Sequence, residues 1–243
     1  MGLFDFLSKE GKETRAVVRW EKKLMGKYLQ TQERKRAISM LTEIGTPEAV
    51  VALLKRYQYR TEQSILDEEE KDMVRECCVA LGQRALPGLI AYINSETGIY
   101  WPVKAMREIA GDEIAVTELL KALENVEDIF GTNRQRREEL VDQLRNFAED
   151  DRVFEVLLVM LADEDEEIVI RAIDGLSVRE DDPEVAEAIV PLMVAENSSH
   201  RVRTMIMEQM LSQEWNVKRY KKQLRDVIPG NYWIDDTGVV RRK

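Results

Sequence analysis

The sequence has few of the residues that end helices, cross-link chains or bind metals. Six prolines and twelve glycines in 243 residues are too few for a β-rich or a disordered chain. The two cysteines, Cys77 and Cys78, are adjacent. Because neighbours in a helix point about 100° apart, we expect no disulfide between them. With one histidine and no spaced cysteine pairs, the sequence shows no metal-site pattern, and we predict no cofactor.

Long apolar runs are also missing. No run approaches the roughly 20 residues that a membrane-spanning helix needs. The first residues, MGLFDFLSKE, contain neither a basic leader nor a small-residue cleavage site. Phe6 stands where a myristoylation pattern requires Ser or Thr. We therefore expect a cytoplasmic protein that has no stable membrane insertion.

Acidic residues outnumber basic ones, but the excess is confined to the middle of the chain. The net charge of the whole chain is −10. Residues 1–36 hold ten Lys and Arg against five Asp and Glu, and residues 218–243 hold eight against three, so each end carries +5. Residues 37–217 therefore carry −20. Because Lys and Arg supply most of the affinity for a phosphate backbone, we expect no nucleic-acid partner and favour a basic or mixed-charge protein.

One stretch of the sequence occurs twice. Residues 37–54, AISMLTEIGTPEAVVALL, match residues 103–120, VKAMREIAGDEIAVTELL, when Gly45 is aligned with Gly111. The identical pairs are Met40/Met106, Ala49/Ala115, Val50/Val116, Leu53/Leu119, Leu54/Leu120 and, just after, Lys55/Lys121. The offset of 66 residues is twice 33, and a fixed period of this length is typical of helical solenoids.

Each copy predicts two short helices joined by a tight turn. An apolar run with helical spacing ends at a glycine, which can take the left-handed conformation that stops a helix. Thr46 or Asp112 then caps the second helix, and Pro47 suits its first turn. Weaker copies recur at spacings of 34–38 residues, at Leu89-Ile90, at Leu157-Leu158 and at the set Val202, Ile206 and Met210.

These units resemble HEAT repeats, in particular the bacterial HEAT-like type named after phycobilisome lyases. The resemblance covers roughly residues 31–228 and depends on three features. They are a Val-Arg pair early in the first helix, Gly-Thr or Gly-Asp at the turn, and Ala-Val-x-x-Leu-Leu in the second helix. The resemblance implies an all-α fold, a right-handed α-α superhelix of about six helical pairs, whose usual use is as a binding scaffold.

The N-terminal residues 1–30 are predicted to be a basic amphipathic segment that caps the solenoid. Val17, Trp20, Leu24 and Tyr28 recur at spacings of three and four and make one apolar stripe. A helix that lies on a membrane surface is the alternative interpretation. The segment begins with the apolar cluster LFDFL, which has three possible docking sites: a partner, a membrane or the first repeat.

The C-terminal residues 229–243 change from helical to strand-like patterning. Pro229 and Gly230 end the last predicted helix, and Asp-Asp-Thr-Gly then separates two β-prone runs. We predict a short hairpin that pairs residues 232–234 with 239–241. An isolated hairpin is marginal in water, so we expect it to pack on the last helices and cap the solenoid.

Three predicted connections carry aromatic residues with arginine or lysine nearby. They follow the first three helical pairs, and the first, residues 57–71, is longer than the repeat needs. Because equivalent connections of a solenoid lie along one edge, we predict a partner-binding strip of residue types that dominate binding hot spots. Its members are Tyr59, Arg60, Tyr100, Trp101, Lys104, Arg107, Phe130 and Arg134. The alternative is that Trp101 and Phe130 fill the core while the charges are merely solvated.

The sequence favours a non-enzymatic scaffold or adaptor that binds a protein partner along the solenoid surface. Lys55, Arg56, Tyr92 and Lys121 are candidates for the face lined by the second helices. The single histidine, His200, is predicted at a helix start as a surface or capping residue. A third possibility is that the basic ends of one copy meet the acidic middle of another.

A HEAT-repeat enzyme is the alternative function. The resemblance extends to bilin lyases and to the alkylpurine DNA glycosylases that are built from HEAT-like repeats. Such a glycosylase needs a basic concave face and an aspartate flanked by aromatic residues. Here Trp101 is followed at helical spacing by Lys104 and Glu108, and the middle of the chain is strongly acidic. We therefore predict no catalytic residues.

Overall fold

The computed structural model describes residues 9–26, 28–126, 131–179 and 182–243. The described chain is mostly helical and ends in a two-stranded antiparallel sheet. It forms two compact units, Met1–Leu140 and Val141–Lys243, which we call the N-terminal and the C-terminal unit. None of the helices in these ranges combines the length and the apolar character that crossing a bilayer requires. The LFDFL cluster lies outside the described residues.

The N-terminal unit is built from helices that pack in two rows. The helices are α1 (Lys9–Leu24), α2 (Thr31–Ile44), α3 (Pro47–Leu54), α4 (Ser64–Leu81), α5 (Leu86–Ser95), α6 (Tyr100–Ala110), α7 (Asp112–Glu124) and α8 (Gly131–Leu144), the last of which continues into the C-terminal unit. Short 3₁₀ turns follow α3 and α4 at Lys55–Gln58 and Gly82–Ala85. α4 contacts both α2 and α6, and α5 contacts both α3 and α7. Contact between every second helix is what stacked helical hairpins produce.

The repeated turn behaves as predicted in its first copy and differently in its second. Gly45 has φ +58° and ψ +21°, the left-handed conformation that ends α2, and the Thr46 hydroxyl accepts from the Ala49 amide at 3.3 Å. At the second turn Gly111 also has a positive φ, but it is itself the residue before α7. Asp112 is therefore not a cap: it is the first residue of α7, and its carboxylate accepts a hydrogen bond from Arg107 at 2.7 Å.

Helix α1 packs against α2 and α3. Val17, Trp20 and Leu24 of the predicted stripe are buried. The prediction for the fourth residue of the stripe is wrong, because Tyr28 is 98% exposed. α1 ends at Leu24, so helical spacing does not determine the position of Tyr28.

A glycine sets the distance between α3 and α5. A β-carbon at Gly88 would come within 2.6 Å of the Val50 side chain and 2.7 Å of the Pro47 carbonyl oxygen. Since real β-carbons do not approach other atoms this closely, the two helices pack at a distance that only glycine at position 88 permits.

Four of the α-helices in the C-terminal unit begin at a side-chain N-cap. The helices are α9 (Asp151–Met160), α10 (Glu166–Leu176), α11 (Pro183–Ile189), α12 (His200–Ser212) and α13 (Lys221–Leu224). α10 contacts α9 and α12. The capping side chains, each accepting from a backbone amide in the first turn, are Asp150, Asp165, Asp182 and Ser199. His200 is the exposed first residue of α12, as predicted.

The predicted hairpin is present with its second strand shifted by one residue. Strand β1 (Tyr232–Ile234) pairs with β2 (Val240–Arg242), and Ile234 lies opposite Val240. The shift arises because Val239 belongs to the turn, where its amide donates to the Asp235 carboxylate at 3.0 Å. Val240 is buried and β2 contacts α12, so the hairpin packs on the last helices as expected.

Candidate functional site

An aromatic cluster surrounds the start of α6. The Trp101 ring stacks on Tyr57, with 6.2 Å between ring centroids and 8° between planes. Tyr100 meets Trp101 edge to face, at 5.4 Å and 81°. One turn further along α6, the Lys104 ammonium lies 5.1 Å from the centre of a Trp101 ring. We call Tyr57, Tyr100 and Trp101 the aromatic cluster.

The inner side of the cluster is fixed by backbone contacts. The Tyr57 hydroxyl donates to the Lys71 carbonyl at 3.0 Å, and burial raises the pKa of Tyr57 well above its ordinary value, so the hydroxyl stays neutral. The connection before α6 is held from α8, because the Glu139 carboxylate accepts from the amides of Gly98 at 2.6 Å and Ile99 at 3.3 Å. Gly98 has φ +75° and lies against the Tyr57 backbone, a conformation that favours glycine.

The outer side of the cluster is open to solvent. Tyr100 is 56% exposed, and Lys104 and Arg107 follow it on α6 as exposed residues at spacings of four and three. Residues so spaced share one helix face. Arg107 forms an ion pair with Asp112 at 2.7 Å, and this hydrogen bond raises the pKa of Arg107. α6 therefore presents an aromatic and basic surface, which we call the α6 face and define as Tyr100, Trp101, Lys104 and Arg107. The exposed Glu108 lies beside it and pairs with Arg75 at 2.7 Å.

The other residues of the predicted strip lie elsewhere. Tyr59 is buried: its hydroxyl donates to the Leu24 carbonyl and its ring lies under the Arg56 guanidinium. Arg60 is exposed and lines a different cavity, of about 550 Å³. Arg134 is exposed on α8 and pairs with Glu138 at 3.1 Å. Phe130 lies outside the described residues.

Two of the four residues assigned to the second-helix face are buried. Arg56 and Tyr92 are both fully enclosed, so neither can line an exposed surface. Lys55 is partly exposed and pairs with Glu21 of α1 at 2.7 Å. Lys121 is exposed and pairs with Glu118. The prediction for Arg56 is wrong because the spacing of residues along the sequence does not show that Arg56 has buried counter-charges.

The buried counter-charges of Arg56 are Asp67 and Glu70, which belong to a network of buried ion pairs. The sequence analysis assigned Asp67 and Glu70 to a loop. The predicted connection 57–71 is too long, because α4 begins at Ser64 and its first turns contain the acidic run. Glu70 is fully buried between two arginines: Arg34 of α2 donates to its carboxylate at 2.8–3.1 Å, and Arg56 donates at 2.8 Å. The network ties α2, α4 and the turn after α3 together.

Asp67 is the second buried carboxylate of the network. It accepts from Arg56 at 2.6 Å and from the Thr61 amide at 2.8 Å, and it pairs with Lys71 at 2.6 Å. Burial acts to raise the pKa of Asp67, but the bonds from Lys71, Arg56 and Thr61 outweigh it and hold this pKa well below its ordinary value. The spacing of three between Asp67 and Glu70, which places both on one helix face, was the available signal.

No protein-family model matches the chain, and no curated protein matches it either. Within the described ranges, no group of three or more His, Cys, Asp or Glu side chains is placed to hold a metal ion. Both cysteines are free thiols, as predicted. Burial raises the pKa of Cys78 to about 12, which keeps that thiol protonated and unreactive at neutral pH.

Proposed function

We propose that this chain is a cytoplasmic, non-enzymatic scaffold of HEAT-like helical hairpins that binds a protein partner on the α6 face. The observation that carries the proposal is the exposed Tyr100 ring beside Lys104, both supported from below by Trp101 and Tyr57. Tyrosine and tryptophan are the residue types in which binding energy concentrates.

The support beneath the α6 face matters for affinity. Binding costs free energy when mobile side chains become ordered. Trp101 is already held between Tyr57, Tyr100 and Lys104, so a partner that packs on it has little further ordering to impose. Lys104 adds positive charge to a part of the chain, residues 37–217, that carries −20, and Arg107 is basic but paired with Asp112. A partner surface with an apolar centre and acidic groups around it would be complementary.

The repeat architecture supports the scaffold part of the proposal. In the N-terminal unit α4 contacts α2 and α6, and α5 contacts α3 and α7. The two copies of the repeated stretch lie in the helical pairs α2–α3 and α6–α7. The proposal extends this pattern to about six pairs in a right-handed superhelix. Such a stack presents equivalent surfaces of successive helices side by side, which is the usual basis of binding by helical repeats.

Site-specific crosslinking tests the proposal. A photoreactive benzoylphenylalanine is placed at position 104 on α6, and in a control protein at position 159, where Val159 is 77% exposed on α9. We expect irradiation in a native lysate to attach one defined protein at position 104 and not at position 159. The captured protein is then purified, and its affinity is measured by calorimetry.

A matched pair of variants completes the test. Tyr100→Ser/Lys104→Glu changes one exposed apolar residue and one charge of the α6 face, and Lys22→Glu/Val159→Ser makes the same changes at exposed positions elsewhere. The first should weaken binding at least tenfold and the second should leave it unchanged. Equal affinities would refute the assignment of the α6 face. Tight binding to DNA at low salt would refute the scaffold and favour the glycosylase-like alternative.

A further inference from the structure

A second candidate binding site lies in the C-terminal unit, between α13 and the hairpin. It is a cavity of about 300 Å³ with three cationic and several apolar side chains around it. The cations are Lys221, Arg225 and Lys243, and the apolar residues are Ile228, Tyr232, Trp233 and Ile234. No part of the proposed function uses these residues.

The three cations lack a carboxylate partner in the described chain. The Lys221 ammonium lies 3.4 Å from the Asp235 carbonyl oxygen, and the Lys243 ammonium lies 2.7 Å from the Gly230 carbonyl oxygen. Among the described residues, no hydrogen bond or ion pair involves the exposed Arg225 side chain. The cavity therefore concentrates positive charge that an anionic ligand would neutralise.

Two other arginines in this part of the chain are paired. Arg219 forms an ion pair with Glu187. Arg241, which lies opposite Trp233 in the hairpin, pairs with both Glu214 and Asp235. The carboxylates of Glu187, Glu214 and Asp235 are thus engaged with other residues, and none of the three pairs with a cation of the cavity.

Most of the apolar residues of the cavity lie on the hairpin. Trp233 is 49% exposed in the middle of β1. The turn that joins the strands is fixed by Asp235, whose carboxylate accepts from Thr237 at 2.5 Å and from the Val239 amide at 3.0 Å. A ligand side chain that packs on Trp233 therefore meets a surface that is already ordered, which lowers the entropic cost of binding.

We propose that this cavity binds an acidic segment of a protein partner, with one apolar or aromatic side chain against Trp233 and carboxylates on Lys221, Arg225 and Lys243. The planar Arg225 guanidinium suits a carboxylate that accepts two hydrogen bonds. A peptide fits better than a nucleic acid, because residues 141–217 of the same unit hold six Lys and Arg against nineteen Asp and Glu, a net charge of −13, and repel a polyanion that extends beyond the cavity. The proposal does not rest on the α6 face.

Fluorescence anisotropy tests the proposal with a defined probe. The probe is a fluorescein-labelled peptide, Glu-Glu-Phe-Glu-Glu-Leu, titrated with the whole chain at about 50 mM salt. One control peptide replaces each Glu by Gln, and another replaces Phe and Leu by Ser. We expect both controls to bind at least tenfold more weakly, and we expect added salt to weaken binding of the probe.

Variants locate the site. Lys221→Glu/Arg225→Glu should reduce affinity for the probe at least tenfold, and the milder Arg225→Gln should reduce it by a smaller factor. Lys12→Glu/Lys22→Glu reverses two exposed charges of α1 and should have no effect. Tyr100→Ser/Lys104→Glu should also leave probe binding unchanged, which separates this site from the α6 face. Circular dichroism confirms that each variant is folded.

Three outcomes would overturn the proposal. The first is equal binding of the probe and both control peptides, which would show that the cavity recognises neither the carboxylates nor the apolar side chains of the peptide. The second is no loss of affinity in either cavity variant. The third is tighter binding of a single-stranded oligothymidylate than of the probe, lost in the same variants, which would assign the cavity to nucleic acid.

Discussion

The two units place their charged residues in different ways. In the N-terminal unit, Arg34, Arg56, Asp67, Glu70, Lys71 and Arg136 are all buried. In the described part of the C-terminal unit, the buried polar residues are the uncharged Gln143 and Ser177. Its ion pairs lie on the surface instead: Arg201 is 58% exposed where it pairs with Glu167.

This difference determines how much each charged residue contributes to the free energy of unfolding. A buried ion pair gains little over an apolar pair of the same shape, but removing one partner leaves an uncompensated charge in a poor solvent. A surface pair is screened by water and salt, and its loss has little effect. The N-terminal unit should therefore respond strongly to single charge deletions, and the C-terminal unit should tolerate them.

The largest expected effect is the loss of the charge on Glu70. Glu70→Gln keeps the size of the side chain but removes the negative charge between Arg34 and Arg56. We expect the free energy of unfolding to fall by about 3–5 kcal/mol, because the buried Arg34 loses its counter-charge and Arg56 keeps only Asp67. Urea unfolding followed by circular dichroism measures the loss. Hydrogen exchange read by mass spectrometry should assign it to the N-terminal unit.

The neighbouring residue provides a control for Glu70. Glu69 is 53% exposed on the same helix and pairs with Lys35 at 3.6 Å. Glu69→Gln should change the free energy of unfolding by less than about 1 kcal/mol. If Glu70→Gln were equally mild, the buried network would not hold α2 and α4 together, and the contrast between the units would fail.

An intermediate effect is expected from acid, through Asp67. The pKa of Asp67 is lowered in the folded chain. Its stabilisation is therefore complete above its unfolded pKa, near 4, and is lost as the pH falls through the lower folded value. We expect Asp67→Asn to cost on the order of 2 kcal/mol at pH 7 and less at about pH 2. Urea unfolding at both pH values measures the difference in the free energy of unfolding between the wild-type chain and the variant. A difference that is not smaller at about pH 2 contradicts the prediction.

The smallest expected effect is on the surface of the C-terminal unit. Glu167 accepts from Arg201 and from Arg171, and these hydrogen bonds lower its pKa. Because the pairs are exposed, Glu167→Gln should lower the free energy of unfolding by less than about 1 kcal/mol, and by less still in 1 M salt. The same urea experiment measures this. A loss as large as that of Glu70→Gln would remove the difference between the two units.

The local features of the fold followed from the sequence. The glycine stop at Gly45 and the cap at Thr46 depend on residues a few positions apart, and the structure confirms both. The hairpin was predicted to within one residue because Asp-Asp-Thr-Gly marks its turn. Such features are readable because the interacting groups are close in the chain.

The candidate site was only partly predictable. Tyr100, Trp101, Lys104 and Arg107 share α6, so helical spacing was enough to group them. Tyr59 was assigned to the same strip and is buried instead. Tyr59 is buried because it contacts groups from distant parts of the chain, such as the Leu24 carbonyl. The prediction assumed that aromatic residues in connections are exposed, so it could not find these contacts.

By itself, the sequence determined that this chain is helical, where several of its helices stop and start, and that a hairpin follows them, since each depends on neighbouring residues. The tertiary structure alone decided which charges are buried. Glu70 lies 36 positions from Arg34 and 14 from Arg56, and a carboxylate enters the core only where folding brings such partners to it. The aromatic cluster likewise depends on folding, because Tyr57 follows α3 and stacks on Trp101 of α6, which lies far from it in the sequence.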